Sequence, residues 1–250
     1  MMLNNKVVII TDVCGDFGRA LAKAFVNEKA IVIGFGQTVE ALEETKALIN
    51  SPLFTSHQVD VCDYQALSGL VETIQQQNHH IGYLFNNAVV CPYVDFLTET
   101  ASSFSKAIDL NVSGVANCCK AILPVMIQHQ FGRIYNLGSW ADLSPIENNA
   151  VYAASKGAIH ALTKAIAKDI EKYQVDLQVH EWIPGAIKTP EGGFVDVSPD
   201  ISSAWAVQIA KSDTAKVSCI YEGNKEWLPP KSFKQRIISK LRFWENSDHS

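Results

Sequence analysis

The segment GSWADLSPIENNAVYAASK, residues 138–156, carries a serine, a tyrosine and a lysine in an order that suits proton transfer. Ser139 directly follows a strand-like apolar run, residues 133–137, and Tyr152 and Lys156 follow in a stretch with helical periodicity. The four-residue spacing of Tyr152 and Lys156 puts both on one face of a helix, one turn apart. A lysine charge there is expected to lower the tyrosine pKa from about 10, and Ser139 can hydrogen-bond the same substrate oxygen. The segment therefore predicts a strand–loop–helix unit with acid–base chemistry on a carbonyl or alcohol group.

A serine, a tyrosine and a lysine at this spacing also occur by chance, so the flanking sequence has to decide. Short apolar runs alternate with helical periodicity along most of the chain. Strands are predicted at residues 7–11, 30–33, 55–61, 81–85, 133–137, 175–183 and near 217–221, and helices at residues 17–27, 39–49, 64–77, 101–128, 151–172 and 198–211. The alternation predicts an α/β fold: a single-domain doubly wound (Rossmann) parallel sheet of about seven strands with helices on both faces.

The composition suits one large domain with a substantial core, since the 250 residues are 47% hydrophobic and 19% charged. The net charge of −5 disfavours a nucleic-acid partner. The six cysteines lack metal-ligand spacing, so we expect free thiols, no metal site and a cytoplasmic location. From the apolar runs we also expect no membrane span, and the N-terminus lacks the pattern of a secretory signal.

Five sequence elements, taken together and in order, resemble the short-chain dehydrogenase/reductase family over residues 6–190. They are Asp60-Val61 after the third strand, Asn86-Asn87-Ala88 after the fourth, Asn111 in DLNVSG, the set Ser139, Tyr152 and Lys156, and Pro184-Gly185 with Ile187 and Thr189 in PGAIKT. The resemblance implies an oxidoreductase that transfers a hydride between a nicotinamide cofactor and a secondary alcohol or ketone. It also implies a small-molecule substrate and assembly as a homodimer or homotetramer.

The resemblance further implies a role for each matching residue. Tyr152 would be the catalytic acid or base, Lys156 would lower its pKa and hold the nicotinamide ribose, and Ser139 would orient the substrate oxygen. Asn111 would position a water that links Lys156 to solvent. The residues expected to bind the cofactor are Asp12, Gly15, Phe17, Gly18, Gln37, Asp60, Val61, Asn87, Ala88, Tyr152, Lys156, Pro184, Gly185, Ile187 and Thr189.

The first strand-to-helix turn, TDVCGDFG at residues 11–18, departs from the family pattern TGxxxGxG. Asp12 and Asp16 stand where the first two glycines are expected, and Val89 replaces the glycine of NNAG. Carboxylates near a pyrophosphate are unfavourable unless they point away or pair with a cation such as Arg19. Alternatively, Asp12 caps the turn through nearby backbone amides. This departure is expected to affect the affinity for the cofactor more than the class of cofactor that binds.

The residue after the second strand selects between NAD and NADP in dinucleotide-binding folds, and we place it at Gln37. Gln37 is neither an acid that binds ribose hydroxyls nor a base that accepts a 2′-phosphate. Gly15 supplies no positive charge either, and Asp12 and Asp16 disfavour an additional phosphate. The sequence therefore favours NAD over NADP and leaves NADP open.

The substrate is expected to contact Ser139, Trp140, Cys91, Tyr93 and Phe194. Trp140 directly follows Ser139, so its ring either borders the substrate or packs in the core. The loop that contains Phe194, residues 189–198, is shorter than the helical lid usual in the family. A short loop suggests an open site for a bulky ketone or alcohol, or a site closed by another segment.

The chain is divided into a Rossmann-type domain, residues 1–225 including the loop 189–198, and a basic amphipathic C-terminal extension, residues 226–250. The extension presents Phe233, Ile237, Leu241 and Trp244 on one helical face. Packing on this or a sister subunit is favoured over contact with a membrane surface or another partner.

Two other functions stay open beside the oxidoreductase. The first is a binding or regulatory protein that lost cofactor affinity through Asp12 and Asp16. The second is a non-redox lyase or isomerase that uses Tyr152 as its acid–base group. Titration with NADH and NADPH separates these alternatives from the oxidoreductase.

Overall fold

An eight-stranded sheet forms the centre of the computed structural model, which describes residues 2–77, 80–187, 197–212 and 214–228. The strand order is β3-β2-β1-β4-β5-β6-β7-β8, and neighbouring strands are parallel except for the antiparallel pair β7 and β8. The strands are β1 (Val7–Thr11), β2 (Ile31–Gly36), β3 (Phe54–Gln58), β4 (Ile81–Asn86), β5 (Phe131–Leu137), β6 (Asp176–Ile183), β7 (Ile220–Glu222) and β8 (Lys225–Trp227).

Helices cover both faces of this sheet. They are α1 (Asp16–Asn27), α2 (Val39–Ile49), α3 (Tyr64–Gln76), α4 (Ala101–Ile108), α5 (Val115–Gln128), α6 (Ala150–Ile170) and α7 (Pro199–Lys211). Apolar side chains of α1, α2 and α7 form one core layer, and those of α3, α5 and α6 form the other. The central strands are buried on both faces, as continuous runs such as Val7–Thr11 predict. The doubly wound fold predicted from the sequence is confirmed.

The helical stretch predicted at residues 101–128 is interrupted in the structure. A π-helical segment, Asp109–Gly114, joins α4 to α5. Among the described residues, 101–128 taken whole is the one helix long and apolar enough to cross a membrane by length and composition, contrary to the expectation from the apolar runs. Half of its most apolar window is buried, and α5 packs on α3, β4 and β5. Its apolar side is thus part of the core.

The eighth strand is absent from the sequence prediction. β7 and β8 pair through a two-residue turn, Gly223 and Asn224, in which Gly223 has φ of +58°. A Gly-Asn pair between short strands is a hairpin signal that the sequence does carry. β8 crosses the predicted boundary at residue 225, so the sheet includes Trp227. Residues 229–250, which hold the predicted amphipathic face, lie outside the described residues.

The strand order places a crevice at the carboxyl ends of β1 and β4. The connection from β1 leads to β2 on one side of β1, whereas β4 pairs with its other side, and ligands of doubly wound sheets bind where the order reverses in this way. The Thr11 hydroxyl accepts hydrogen bonds from the amides of Asn87 (2.9 Å) and Ala88 (2.8 Å), which ties the two strand ends together. These bonds fix the relative position of the two strand ends at the base of the crevice.

Candidate active site

Tyr152 and Lys156 lie one turn apart on α6, as their spacing predicts, and Lys156 is only 2% exposed. The Lys156 Nζ atom is 5.3 Å from the centre of the Tyr152 ring. It donates a hydrogen bond of 2.6 Å to the backbone carbonyl of Leu137, the last residue of β5. This bond holds the ammonium group at the carboxyl end of the sheet, where Ser139 follows two residues after Leu137.

Ser139 lies beside the Tyr152 phenol. Its Oγ atom accepts a hydrogen bond of 3.1 Å from the amide of Ala141, at the start of a short 3-10 turn, Trp140–Asp142. Because the oxygen serves as an acceptor there, its hydrogen can be donated to the phenol, and this contact acts to lower the Tyr152 pKa. The structure thus brings the serine, the tyrosine and the lysine together.

Burial decides the acid–base properties of this trio. It raises the pKa of Tyr152 to about 12, which outweighs the lowering by Ser139. It also lowers the pKa of Lys156 to about 8, so the lysine is a weaker source of positive charge than the sequence suggests. The lowering of the Tyr152 pKa expected from Lys156 is therefore not found in this geometry. Tyr152 is protonated at neutral pH, the form that donates a proton.

Asn111 links the loop after β4 to α6 from within the π-helical segment. Its Nδ2 atom donates to the Val90 carbonyl (2.8 Å) and to the Ser155 hydroxyl (3.0 Å), and its Oδ1 atom accepts from the Val90 amide (2.9 Å). Asn111 is 2% exposed, and π-helical turns often occur at functional sites. Its expected role in holding a water stays a prediction.

Asp12 occupies the first glycine position with a left-handed backbone, at φ of 55°. Such angles are rare outside glycine, but aspartate and asparagine adopt them more readily than other residues. Its carboxylate accepts hydrogen bonds from the backbone amides of Cys14 and Gly15, while burial acts more strongly and raises its pKa. Its carbonyl accepts a bond of 3.1 Å from the Asn87 side chain. The capping alternative for Asp12 is the one that the geometry favours.

The other residues of the turn keep the start of α1 close to β1. A Cβ atom at Gly18 would collide with the Asp12 carbonyl, so only glycine fits there without a shift of the backbone. Phe17 turns its ring towards the core, 5.8 Å from Trp182. Asp16 is exposed in the first turn of α1, where a carboxylate interacts favourably with the helix dipole. Arg19 pairs with Glu44 at 2.6 Å and so does not serve as the expected partner of these aspartates.

A cavity of about 210 Å³ opens beside this turn at the carboxyl ends of β1, β2 and β4. It is lined by Asp12, Cys14, Phe35, Gly36, Gln37, Thr38, Val59, Val61, Ala88, Val89, Val90 and Leu110. Gln37 is exposed at its edge, and its carbonyl accepts a bond of 2.9 Å from Gln58. Asp60 is exposed and accepts a bond of 2.9 Å from the Cys62 amide. Several of the predicted cofactor-binding residues therefore lie around one apolar slot.

The segment after β6 completes the far side of the crevice. The carbonyl of Pro184 accepts a bond of 3.0 Å from the Ser202 hydroxyl on α7, and Gly185 takes φ of +90°. Ile187 forms an isolated β-bridge with Val197. Thr189 and Phe194, predicted to bind cofactor and substrate, lie outside the described residues.

Of the predicted substrate residues, Cys91 and Tyr93 lie near Tyr152 together with Ser139. Cys91 lies close enough to raise the Tyr152 pKa, and its thiol is 3.7 Å from the Asn149 Oδ1 atom. Tyr93 is exposed next to Cys91, and their contact raises the pKa of Tyr93. Trp140 donates a hydrogen bond from its ring nitrogen to Glu222 (2.9 Å) and packs on Trp227, with ring centres 5.0 Å apart. Trp140 therefore joins the β7–β8 hairpin and is not a core residue.

Several residues of this region were not predicted from the sequence. Thr11 and Ser155 act through hydroxyl groups that look ordinary in a sequence, and Asn149 is buried next to Cys91 before α6. Glu181 is a carboxylate near the end of β6, between His180 and Trp182, and is only 3% exposed. The sequence signal for Glu181 is a carboxylate within a predicted strand, residues 175–183, where a charge is buried only if it is paired.

The fold and the crevice define a class of protein that binds a dinucleotide at the carboxyl ends of its strands. The apolar slot suits an adenosine moiety, and the first-turn amides of α1 have no side-chain cap, so they can meet a pyrophosphate. One feature opposes the fit, the Asp12 carboxylate, which already engages two amides of the turn. Apart from this carboxylate, the residues present fit a nicotinamide dinucleotide.

Comparison with known proteins agrees with this class. The family model described as short chain dehydrogenase matches residues 6–195. A 3alpha-hydroxysteroid dehydrogenase from Mediterraneibacter gnavus is 29% identical over 193 residues, which cover 76% of each chain. An NAD+-bound xylitol dehydrogenase is similar at 30% identity and a TM-score of 0.70, covering 76% of this chain and 73% of that one. A metagenomic short-chain oxidoreductase solved with NADP shares the fold, with 22% identity, a TM-score of 0.76, and 89% and 98% coverage.

The chain belongs to the short-chain dehydrogenase family, and it is an oxidoreductase of that family. A similar member, the xylitol dehydrogenase, has been solved with NAD+, which supports a nicotinamide cofactor. Enzymes of this family act on small-molecule substrates.

Proposed function

We propose that the protein transfers a hydride between a nicotinamide cofactor and a secondary alcohol or ketone, with Tyr152 as the acid–base group. The observation that carries this proposal is the meeting of Tyr152, Ser139 and Lys156 at the carboxyl end of β5, beside the crevice. The bound nicotinamide supplies the hydride chemistry. The chain supplies position, charge and the proton.

Each side chain has a defined task in this proposal. Ser139 donates a hydrogen bond to the substrate oxygen and holds it near the Tyr152 phenol, which gives or takes the proton. Lys156 holds the nicotinamide ribose and places a positive charge beside the phenol. The apolar slot lined by Val59, Val61 and Val89 holds the adenine ring.

Carbonyl reduction is the direction that the site favours at neutral pH. Because burial raises the pKa of Tyr152 to about 12, the phenol is present in its acid form, which is the form that reduction needs. Alcohol oxidation needs the phenolate, so its rate is expected to increase as the pH rises. Carbonyl reduction is therefore expected to proceed at neutral pH, and alcohol oxidation to need a higher pH.

We propose NAD as the preferred cofactor. Gln37 lies exposed at the end of β2 without a positive charge for a 2′-phosphate, and the Asp12 carboxylate lines the same cavity. Arg19, a cation near this cavity, is already paired with Glu44. An additional phosphate would be repelled at this end of the site.

We further propose a cytoplasmic homodimer or homotetramer that acts on a bulky alcohol or ketone. The hydroxysteroid and xylitol dehydrogenases differ widely in the size of the compounds in their names, so they do not select a substrate. The support for a bulky substrate is the exposed position of Tyr93 and the wall of Trp140 and Trp227.

The test is a panel of ketones, steroids and sugars assayed with NADH and NADPH by nicotinamide absorbance, beside direct fluorescence titration of both cofactors. We expect NADH to bind more tightly than NADPH and at least one ketone to be reduced. Binding without any turnover would favour the non-redox enzyme. Absence of binding would favour the binding-protein alternative, which the Asp12 contacts with Cys14 and Gly15 specifically support.

A further inference from the structure

A buried carboxylate lies next to the candidate catalytic lysine. Among the described residues, Lys156 is the only buried lysine and Glu181 is the only buried carboxylate, at 2% and 3% exposed. An isolated charge in a protein interior is strongly unfavourable, so buried charges are normally paired. The side chains of Lys156 and Glu181 contact consecutive residues of one backbone segment.

Leu137 and Gly138 form that segment. Lys156 donates from Nζ to the Leu137 carbonyl at 2.6 Å. The Glu181 carboxylate lies against Gly138, since a Cβ atom at Gly138 would collide with the Oε1 atom of Glu181. Glycine at position 138 is thus what leaves room for the glutamate side chain beside the lysine.

His160 holds the glutamate from the helix that carries the lysine. It lies one turn after Lys156 on α6, and its Nδ1 atom is 2.6 Å from the Oε2 atom of Glu181. The Nζ atom of Lys164 is 2.7 Å from the Nε2 atom of His160. Because an ammonium group only donates hydrogen bonds, Nε2 is the acceptor and Nδ1 carries the hydrogen donated to Glu181. His160 therefore orients the Glu181 carboxylate through the hydrogen bond from Nδ1.

We propose that Glu181, oriented by His160, is a positioning residue that keeps Lys156 positively charged inside the buried site. This role rests on the proposed function, in which that charge lies beside the Tyr152 phenol and the nicotinamide ribose. Glu181 replaces part of the solvation that Lys156 loses on burial, and it does so from the neighbouring strand β6 without touching the substrate. Lys164 extends the chain of contacts from His160 to the surface.

The charged groups around the pair are consistent with this role. Burial lowers the pKa of Lys156 to about 8, and Glu181 is the strongest influence in the opposite direction, followed by Cys91. Burial raises the pKa of Glu181, while His160 and Lys156 lower it and Asp142 raises it. The glutamate therefore faces two favourable groups on α6 and one unfavourable carboxylate on the 3-10 turn.

The test follows the Lys156 side-chain signal by NMR during a pH titration of the full-length protein with isotope-labelled lysine, and the signal is assigned by its loss in Lys156→Met. In the wild type we expect a midpoint of about 8. Glu181→Gln keeps the shape but removes the charge, so its midpoint should fall, and Glu181→Asp should restore much of the difference. Glu222→Gln removes a carboxylate that contacts Trp140 instead, and it should leave the midpoint unchanged.

The same variants give a second readout in the pH profile of turnover. If lysine binds its proton tenfold more weakly, its charged fraction at pH 8 falls roughly fivefold, and turnover there should fall in parallel. If Glu181→Gln is not folded by circular dichroism, His160→Gln, on the partly exposed face of α6, should give a smaller shift in the same direction.

A midpoint in Glu181→Gln equal to that of the wild type, or an equal shift in Glu222→Gln, would overturn the proposal. The NMR titration uses the protein without cofactor or substrate. A failure to find dehydrogenase activity would therefore count against the proposed function alone, and an unshifted lysine would count against the role of Glu181 alone.

Discussion

The two ends of the crevice differ in how closely they keep the family's residues. At the catalytic end, Asn111, Ser139, Tyr152 and Lys156 are all present and are brought together around the end of β5. At the cofactor end, two of the three expected glycines are aspartates, yet Asp12 adopts the left-handed backbone that a glycine would supply. Proton transfer needs particular side-chain atoms, whereas a phosphate cradle needs a backbone shape. Aspartate can adopt the left-handed backbone conformation in place of glycine, but it adds a negative charge.

The largest effect is expected from a substitution at the catalytic end of the crevice. Tyr152→Phe removes the hydroxyl that we propose exchanges the proton, and turnover should fall by roughly 10²–10⁴-fold. Cofactor affinity, measured by fluorescence titration, should change little because the ring stays in place. Tyr173→Phe, at an exposed tyrosine just after α6, is the matched control and should retain full activity. Turnover retained by Tyr152→Phe would remove the assignment of the acid–base group.

The next effect tests the backbone of the cofactor end. Gly18→Ala places a Cβ atom into the Asp12 carbonyl, so we expect a loss of about 3 kcal/mol in the free energy of unfolding, with weaker cofactor binding. Gly69→Ala is the control, since a Cβ atom at this position in α3 meets open space. That change should stabilise the protein by roughly 0.5–1 kcal/mol in denaturant unfolding. Equal stability of the two variants would contradict the close packing of α1 on β1.

A third test uses the pH dependence of stability at the catalytic end. The folded-state pKa of Lys156 is lowered from 10.5 to about 8, so the unfolded chain binds more protons between these values. The contribution of Lys156 to stability is therefore complete above pH 10.5 and is lost as the pH falls through about 8. Relative to Lys156→Met, the wild type should gain on the order of 3 kcal/mol across this range in urea unfolding.

Lys168→Met is the control for that titration, because Lys168 is an exposed lysine on the same helix. Its free energy of unfolding should follow the wild type at every pH. A parallel course of the wild type and Lys156→Met would mean that Lys156 is not desolvated as described.

The smallest effect separates charge from shape at the first turn. Asp12→Asn keeps a residue that tolerates the left-handed backbone and can still accept from the amides of Cys14 and Gly15, but it removes the negative charge. NADPH affinity should rise by about threefold to tenfold, more than NADH affinity, and the gain should shrink at high salt. Asp16→Asn, at an exposed position of the same turn, should have less effect. An unchanged preference would remove Asp12 from cofactor selection.

The sequence by itself determined the alternation of strands and helices, and with it the doubly wound sheet, because buried parallel strands and amphipathic helices have different apolar periods. It also determined that Tyr152 and Lys156 share a helical face, since their spacing is a local property. The ends of β2 and β3 depend on contacts across the sheet and were misplaced, and the break at Asp109–Gly114 between α4 and α5 was not predicted. Local periodicity carries no record of those contacts.

Only the tertiary structure decided the charges of the site. Whether Lys156 lowers the pKa of Tyr152 depends on the burial of both groups, and burial proved to be the larger effect. Glu181 is distant from Lys156 in the sequence, and Gly138 carries no signal of its own there. Both lie near the lysine only because β5, β6 and α6 pack together. The desolvation and the pairing of charges depend on neighbours in space. The residue types of this site could therefore be predicted from the sequence, but their protonation states could not.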